Sequence, residues 1–226
     1  MGSRGPTLDH LPDSFPVFPL GGALLLPGGH LPLNIFEPRY LAMIEDSLGD
    51  GRYVGMVQPD RRLPNGDNGP GLYRVGCLGR LSSFAETDDG RFLITLTGVI
   101  RFTIVEELDM RRGYRRVQAG LSGFASDLHE AETRAPLPVA REDLINALRT
   151  YFRAMQVEEA NWSAILSMSD EALVNALAMA CPFGNEEKQA LLEARDLGAR
   201  AGALYTLLQI DSFDDGTGGG APPKLS

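Results

Sequence analysis

Apolar residues recur with two different periods along this chain, alternating up to about residue 125 and following a helical stripe after it. Residues 15–20 form a short apolar strand, 21–29 a Gly/Pro loop, and 31–36 a second strand with Leu31, Leu33 and Ile35 on one face. Pro32 lies on the other face and cannot donate to a ladder, which marks an edge strand. Pro38 then opens a helix, because an amide at the first helical position has no intrahelical partner to lose. Tyr40, Leu41, Ile44 and Leu48 make its apolar stripe, Arg39, Glu45 and Asp46 lie off it, and Gly49 is placed to cap it. Residues 52–58 read as a strand. Residues 60–71 are crowded with turn formers and read as a mobile surface loop. Phe92, Ile94, Leu96, Ile100, Phe102 and Ile104 keep one parity, and Thr95, Thr97, Arg101 and Thr103 the other. This is a long strand, bent or bulged at Gly98 and entered through the hairpin signal Asp89-Gly90. Residues 114–124 supply one further strand, so the sheet is expected to be small, curved and antiparallel.

Beyond the punctuation at Ala135-Pro136-Leu137-Pro138 the pattern is helical. Leu144, Ile145, Leu148, Tyr151, Phe152 and Met155 line one face. Asp170 is placed to cap a helix burying Leu173, Val174 and Leu177 and stopped by Pro182. Asn185 is placed to cap residues 186–194 and Asp196 to cap residues 197–210. The expected fold class is therefore α+β. A curved antiparallel β pseudo-barrel with one packed helix occupies residues 12–125, a bundle of about four helices residues 134–212, and a disordered tail residues 213–226.

One resemblance adds to this. Phe18, Pro19, Leu20, Pro27, Gly28, Leu31, Pro32, Leu33, Ile35, Phe36, Glu37, Pro38, Arg39, Tyr40, Met43 and Asp46 follow a pattern of fixed positions far more specific than a short motif. Residues 73–81, YRVGCLGRL, and 92–102, FLITLTGVIRF, continue it. This resembles the Lon amino-terminal domain, the substrate-recognition domain that precedes the ATPase and protease modules of Lon proteases, and the likeness spans most of residues 15–210. It implies a partly open, PUA-like barrel with the Pro38 helix packed on it, and a protein-binding role.

Charge and composition narrow the chemistry. The 226 residues hold 30 acidic and 21 basic side chains, a net charge of −9, which disfavours attraction to phosphate backbones. Arg111, Arg112, Arg115 and Arg116 are the one basic cluster and read as a solvated turn. Cys77 and Cys181 stand far apart with no secretory signal, so free thiols in the cytoplasm are expected, and no apolar stretch is long enough for a membrane span. Lysine occurs twice, as Lys188 and Lys224. Neither follows a glycine, so a Walker A phosphate loop is missing from this sequence. Lys188 lies among glutamates in a first helical turn and Lys224 in the tail, so neither is placed as the buried base that a serine and lysine protease needs. His10, His30 and His129 are isolated, with no ligand spacing, so no metal and no cofactor is expected. Cys181 reads as a packing residue.

The expected function is a non-catalytic, ATP-independent module for unfolded or specific protein partners, with no nucleic acid and no membrane. A curved sheet edge beside a helix accepts an extended chain as an added strand. Leu24, Leu25, Leu26, Phe36, Tyr40 and Phe84 are the candidate peptide contacts if exposed, and core residues otherwise. Glu37, Pro38 and Arg39 form a structural motif. Its charged pair either anchors a bound peptide's polar groups or, more commonly for such turns, has Glu37 accepting helix amides and Arg39 pinning a loop. A small hydrolase or metal enzyme with a dispersed site, and an assembly protein that homodimerises through an apolar helix face, are the competing classes.

Overall fold

The structure is a computed structural model that describes residues 7–128, 137–156 and 161–213. The expectations for the first six residues, His129, the punctuation at Ala135-Pro136 and the tail from residue 214, with Lys224, fall outside the described residues. The chain divides into two compact units, one made of the chain up to Arg134 together with Ala178–Glu193, the other of Ala135–Leu177 together with the chain from Ala194.

In the first unit six strands form one sheet: β1 (Ser14–Pro19), β2 (His30–Ile35), β3 (Tyr53–Val57), β4 (Val75–Glu86), β5 (Phe92–Arg111) and β6 (Tyr114–Gly120). The order is β2-β5-β4-β3-β1-β6, with β5 also paired to β6. β5 is long enough to serve different neighbours along its length. Its first part lies between β2 and β4, and its last part pairs with β6. The sheet therefore curls back on itself without becoming a regular barrel. Every pairing is antiparallel except β1 with β3, which is parallel, where an all-antiparallel sheet was expected. β2 and the helix α1 (Pro38–Gly49) intervene between β1 and β3, so this connection is a crossover, as parallel neighbours require.

The β5 parity is as expected, with Phe92, Ile94, Leu96, Ile100 and Phe102 all buried. The register with β4 slips where Gly98 was expected to bend the strand, Leu78 facing Ile100 and Gly79 facing Gly98. The reason is a crossing. The 26–29 loop runs over β5 here, with Gly28 N donating to Gly98 O and Gly98 N to Gly29 O, each at 2.9 Å. A Cβ on residue 98 would sit 2.0 Å from the Leu26 carbonyl oxygen, so only glycine fits. The core inside the curl joins Phe15, Val17, Val57, Leu78, Ile100, Phe102 and Val117, with Phe15 and Phe102 edge to face at 5.0 Å. The 60–71 segment lies at the surface as expected, with residues 61–67 exposed, and it is tied down at its base. Backbone pairing ties Pro59 to Leu72 and Gly66 to Gly69, and Asp60 is buried and takes both Nε and Nη2 of Arg62 at 2.9 Å.

α1 starts at Pro38 as expected, but its buried face is Tyr40, Ala42, Met43, Ile44 and Ser47, rotated from the stripe through Leu41 and Leu48. Gly49 belongs to the helix and Asp50 is the C-cap. Asp46 accepts the Tyr114 hydroxyl at 2.7 Å and Nη1 of Arg112 at 2.9 Å, and Arg112 Nη2 reaches Glu45 at 2.8 Å. α1 is thus tied by polar contacts to the β5–β6 turn. Of the basic cluster, Arg111 and Arg112 are exposed as expected, whereas Arg115 is buried against Glu107 and the Pro70 carbonyl.

The same unit holds α5 (Asn185–Glu193), which is wired to the sheet by side chains. Gln189 Nε2 donates to Val75 O at 3.0 Å and Gln58 Nε2 to Asn185 O at 3.1 Å. Asn185 does not cap its helix; its Oδ1 accepts the Gly22 amide at 2.8 Å. Arg101, placed by parity with the polar threonines, is in fact 3% exposed. Asp127, on the 3-10 turn Ser122–Leu128 that replaces the expected end of the last strand, holds one edge of its guanidinium through Nε and Nη2.

The second unit contains α2 (Arg141–Ala154), α3 (Trp162–Ser167), most of α4 (Asp170–Ala180) and α6 (Leu197–Phe213). α2 packs on α6, and Leu144, Leu148 and Tyr151 of the one and Ala201, Leu204 and Leu208 of the other are buried. Met155, expected on the buried stripe, is exposed because α2 ends before it. Ser169, not Asp170, caps α4, its Oγ accepting Ala172 N, while Asp170 pairs with Arg141. Asp196 caps α6 as expected through Ala199 N at 2.8 Å, and the helix runs on to Phe213, a residue expected in the tail. With α5 there are five α-helices after the sheet among the described residues, one more than expected, α3 being too short for its periodicity to show.

Candidate functional site

Among the described residues β2 pairs with β5 alone, which leaves it an edge strand there, and the expected Pro32 lies on it. At the end of this edge three apolar side chains face solvent: Phe36 at 61%, Phe84 at 40% and Leu93 at 47% exposure. The register explains why they gather. Ile35 pairs with Phe92, so Phe36 leaves β2 beside the start of β5, where Arg91 lies 5.8 Å from its ring centre. Phe84 approaches from the β4 side, facing Ile94 across the ladder and meeting the Phe92 ring edge to face at 5.0 Å. Leu93 lies between them, facing Asn34 on one side and Ala85 on the other. Phe36 and Phe84 thus stand at the same end of the sheet, but Phe84 shares the face of Phe92 and Ile94, whereas Leu93, paired with Asn34 and Ala85, projects from the opposite face. Leu93 was missed because its parity on β5 reads as the polar side.

The other candidate contacts are interior. Leu24, Leu25 and Leu26 are each no more than 2% exposed, because the loop that carries them is clamped across β5 at Gly98. They are core, not an exposed tip. Tyr40 is also buried, its ring 4.2 Å from that of Phe18 and beneath the Arg39 guanidinium at 4.6 Å. Glu37 precedes α1 as its N-cap, but its carboxylate accepts no helix amide. Arg39 Nε and Nη2 converge instead on Glu37 Oε2 at 3.1 and 2.8 Å, and both side chains are about half exposed. Neither part of the expected structural role is seen, since the pair closes on itself.

Lys188 also differs from expectation. It is 5% exposed, and its Nζ donates to Gly22 O at 2.6 Å and to Met179 O at 3.3 Å. Burial pulls its ammonium pKa below the ordinary lysine value, opposed in part by the neighbouring Cys181 thiol. The glutamates beside it in sequence hid this, because helix spacing turns them away. Its two bonds tie the loop at Gly22 to the last turn of α4. Both cysteines are buried. His10 and His30 each meet a threonine hydroxyl, Thr7 and Thr97 respectively. Among the described residues no three metal-ligating side chains converge, and no helix is long and apolar enough to cross a membrane.

The fold as a whole is similar to that of solved Lon amino-terminal domains. The structure is similar to a Lon amino-terminal domain protein from Xanthomonas campestris, with a TM-score of 0.57 and 22% identity over 85% of this chain and 97% of that one. It is also similar to the amino-terminal domain of a Mycobacterium avium complex Lon protease, with a TM-score of 0.55 and 18% identity over 87% and 98% of the two chains. Residues 14–209 match the model of the ATP-dependent protease La (Lon) substrate-binding domain, and the chain belongs to that family. Among curated proteins it is 25% identical over 202 residues to Lon protease 2 of Myxococcus xanthus, covering 88% of this chain and 24% of that protein. It is 27% identical over 198 residues to Lon protease 1 of Bdellovibrio bacteriovorus, covering 86% and 24%. The chain thus spans about a quarter of the length of the curated relatives it matches.

Proposed function

We propose that this chain is a non-catalytic polypeptide-binding module. It takes exposed apolar segments of unfolded or specific protein partners, without ATP, at the rim formed by Phe36, Leu93 and Phe84. The carrying observation is the exposure of each of these three side chains at one end of the sheet, beside an edge strand with a single partner among the described residues. Large apolar side chains exposed near one another, not scattered singly, mark interaction surfaces. An extended segment laid along β2 would take its main-chain hydrogen bonds from its other edge, and the phenylalanines would supply apolar contacts at one end. Membership of a substrate-binding family supports the same reading, and two buried thiols fit a reducing compartment such as the cytoplasm.

The test is fluorescence anisotropy of a labelled, permanently unfolded model polypeptide titrated with the chain and with the Phe36→Glu/Phe84→Glu double variant. Truncating an anchoring aromatic costs about 2 kcal/mol or more, so the double variant should bind at least about thirtyfold more weakly. ATP should leave both curves unchanged. A double variant that keeps the parent melting profile and the parent affinity would reject this surface.

A further inference from the structure

We infer that the pocket between the start of α1 and the β5–β6 turn is a receptor for a carboxylate of the bound polypeptide, a proposal that rests on the polypeptide-binding reading above. The pocket measures about 130 Å³ and is lined by Arg39, Tyr40, Asn68, Tyr114 and Arg115, with three proline rings as its apolar wall. Two guanidiniums, two phenols and a carboxamide face it, and none of its lining residues is a carboxylate. Tyr114 gives its proton to Asp46 and Asn68 Nδ2 reaches Glu107 Oε2 at 3.5 Å, so the donors left over are the Tyr40 hydroxyl and the guanidinium N–H groups not already used.

The arginines keep donors to spare. A guanidinium carries five N–H groups. Arg39 places Nε and Nη2 on Glu37, while Arg115 places Nε and Nη2 on Glu107 and Nη1 on Pro70 O at 2.7 Å. Glu37 and Glu107 hold the two side chains from outside the lining, which orients them without filling the pocket. Tyr40 supplies a second, independent pointer. The residue is 93% buried by its 7% exposure, yet its hydroxyl has no hydrogen-bond partner among the described residues, whereas Tyr114 donates to Asp46. The hydroxyl oxygen itself is not sealed from solvent, so it is open to a ligand at the pocket. Burial raises the Tyr40 phenol above its ordinary value, against the opposing pull of Arg39 and Arg115, so at neutral pH it is a proton donor.

The volume holds about four waters' worth of space, which suits a carboxylate with its neighbouring carbon and a small substituent. Such a group has two sources, a chain terminus or an aspartate or glutamate side chain, and the chemistry is the same. An oxygen of the carboxylate takes the Tyr40 hydroxyl, and the guanidinium N–H groups not used by Glu37 and Glu107 supply charge-assisted bonds.

The experiment titrates the full chain with four probes and follows the Asn68 side-chain amide signals by NMR: N-acetyl-dialanine as the free acid, the same dipeptide as the amide, a doubly capped peptide with one internal aspartate, and inorganic phosphate. Saturable shifts from the free acid, from the aspartate peptide or from both, with none from the amide, are expected, and the pattern tells which source is taken. Tyr40→Phe keeps the ring on Phe18 and should weaken the acid probe by about tenfold or more. Arg39→Gln, at an exposed position, should weaken it as well. Equal shifts from amide and acid, no shift from any carboxylate probe, a phosphate response that matches the acid, or a Tyr40→Phe variant with parental affinity would each overturn the proposal. If the small acids bind but unfolded polypeptide is never captured, the pocket stands and the polypeptide-binding reading is what fails.

Discussion

Replacing Asp127 by alanine is the substitution whose cost the structure defines most sharply. Asp127 Oδ2 accepts Nε of Arg101 at 2.9 Å and its backbone amide at 3.0 Å, and Oδ1 accepts Nη2 at 2.8 Å. The side chains are 3% and 9% exposed, so neither charge is screened by solvent. The guanidinium also donates Nη1 to Leu192 O at 3.1 Å and lies 4.7 Å from the Phe124 ring centre, which fixes it in place. Asp127→Ala strips a buried cation of its carboxylate, a change that costs about 3–5 kcal/mol. For a chain of this size each kcal/mol moves the melting temperature by about 2–4 °C, so the sheet unit should melt roughly 6–20 °C lower. Replacing both partners by apolar residues, Arg101→Met with Asp127→Leu, should recover most of that loss, because the penalty lies in the orphaned charge and not in the missing attraction. Differential scanning calorimetry of the three proteins decides it. An Asp127→Ala protein that melts within about 2 °C of the parent, or a double variant no better than the single one, would refute the reasoning.

Three further outcomes are expected. Gly98→Ala drives a methyl group into the Leu26 carbonyl and should leave little folded protein, read as loss of a cooperative melt, while Gly123→Ala, with open space around it, should change nothing measurable. Asp46 has its pKa lowered, first by the Tyr114 hydroxyl and then by Arg112 and Arg111, with burial opposing. It contributes stability present above its ordinary value of 3.8 and lost as pH falls through its folded value, so acid unfolding should be less steep in Asp46→Asn, followed by circular dichroism. Lys188 has its pKa lowered by burial, so the unfolded chain binds more protons between the folded value and 10.5. Its contribution rises with pH across that window, and the urea midpoint of Lys188→Met should lack this rise.

Much of the sheet could be read from parity because one buried face forces alternation, and Pro32, Gly98 and Asp89-Gly90 each announce a backbone event through their own covalent limits. Which strands become neighbours is not encoded that way, and the parallel β1–β3 pair left no local trace. Arg101 looked exposed because its partner lies 26 residues away, on a turn outside any periodic element. The three leucines at 24–26 have no period at all, so a clamped core loop and an exposed tip read alike. The rim was half legible. Phe36 and Phe84 were named from residue type, but their exposure depends on β2 and β4 ending together beside the start of β5. The donor pocket was hidden because Asn68, Tyr114 and Arg115 meet Arg39 and Tyr40 only through the fold.

The clamp of the 26–29 loop on Gly98 has a consequence for synthesis. Gly28 and Gly98 are 70 residues apart, and ribosomes add about 5–20 residues per second, so the leucine run leaves the tunnel roughly 4–14 s before the strand that buries it. During that interval the nascent chain displays three adjacent leucines with nothing to cover them.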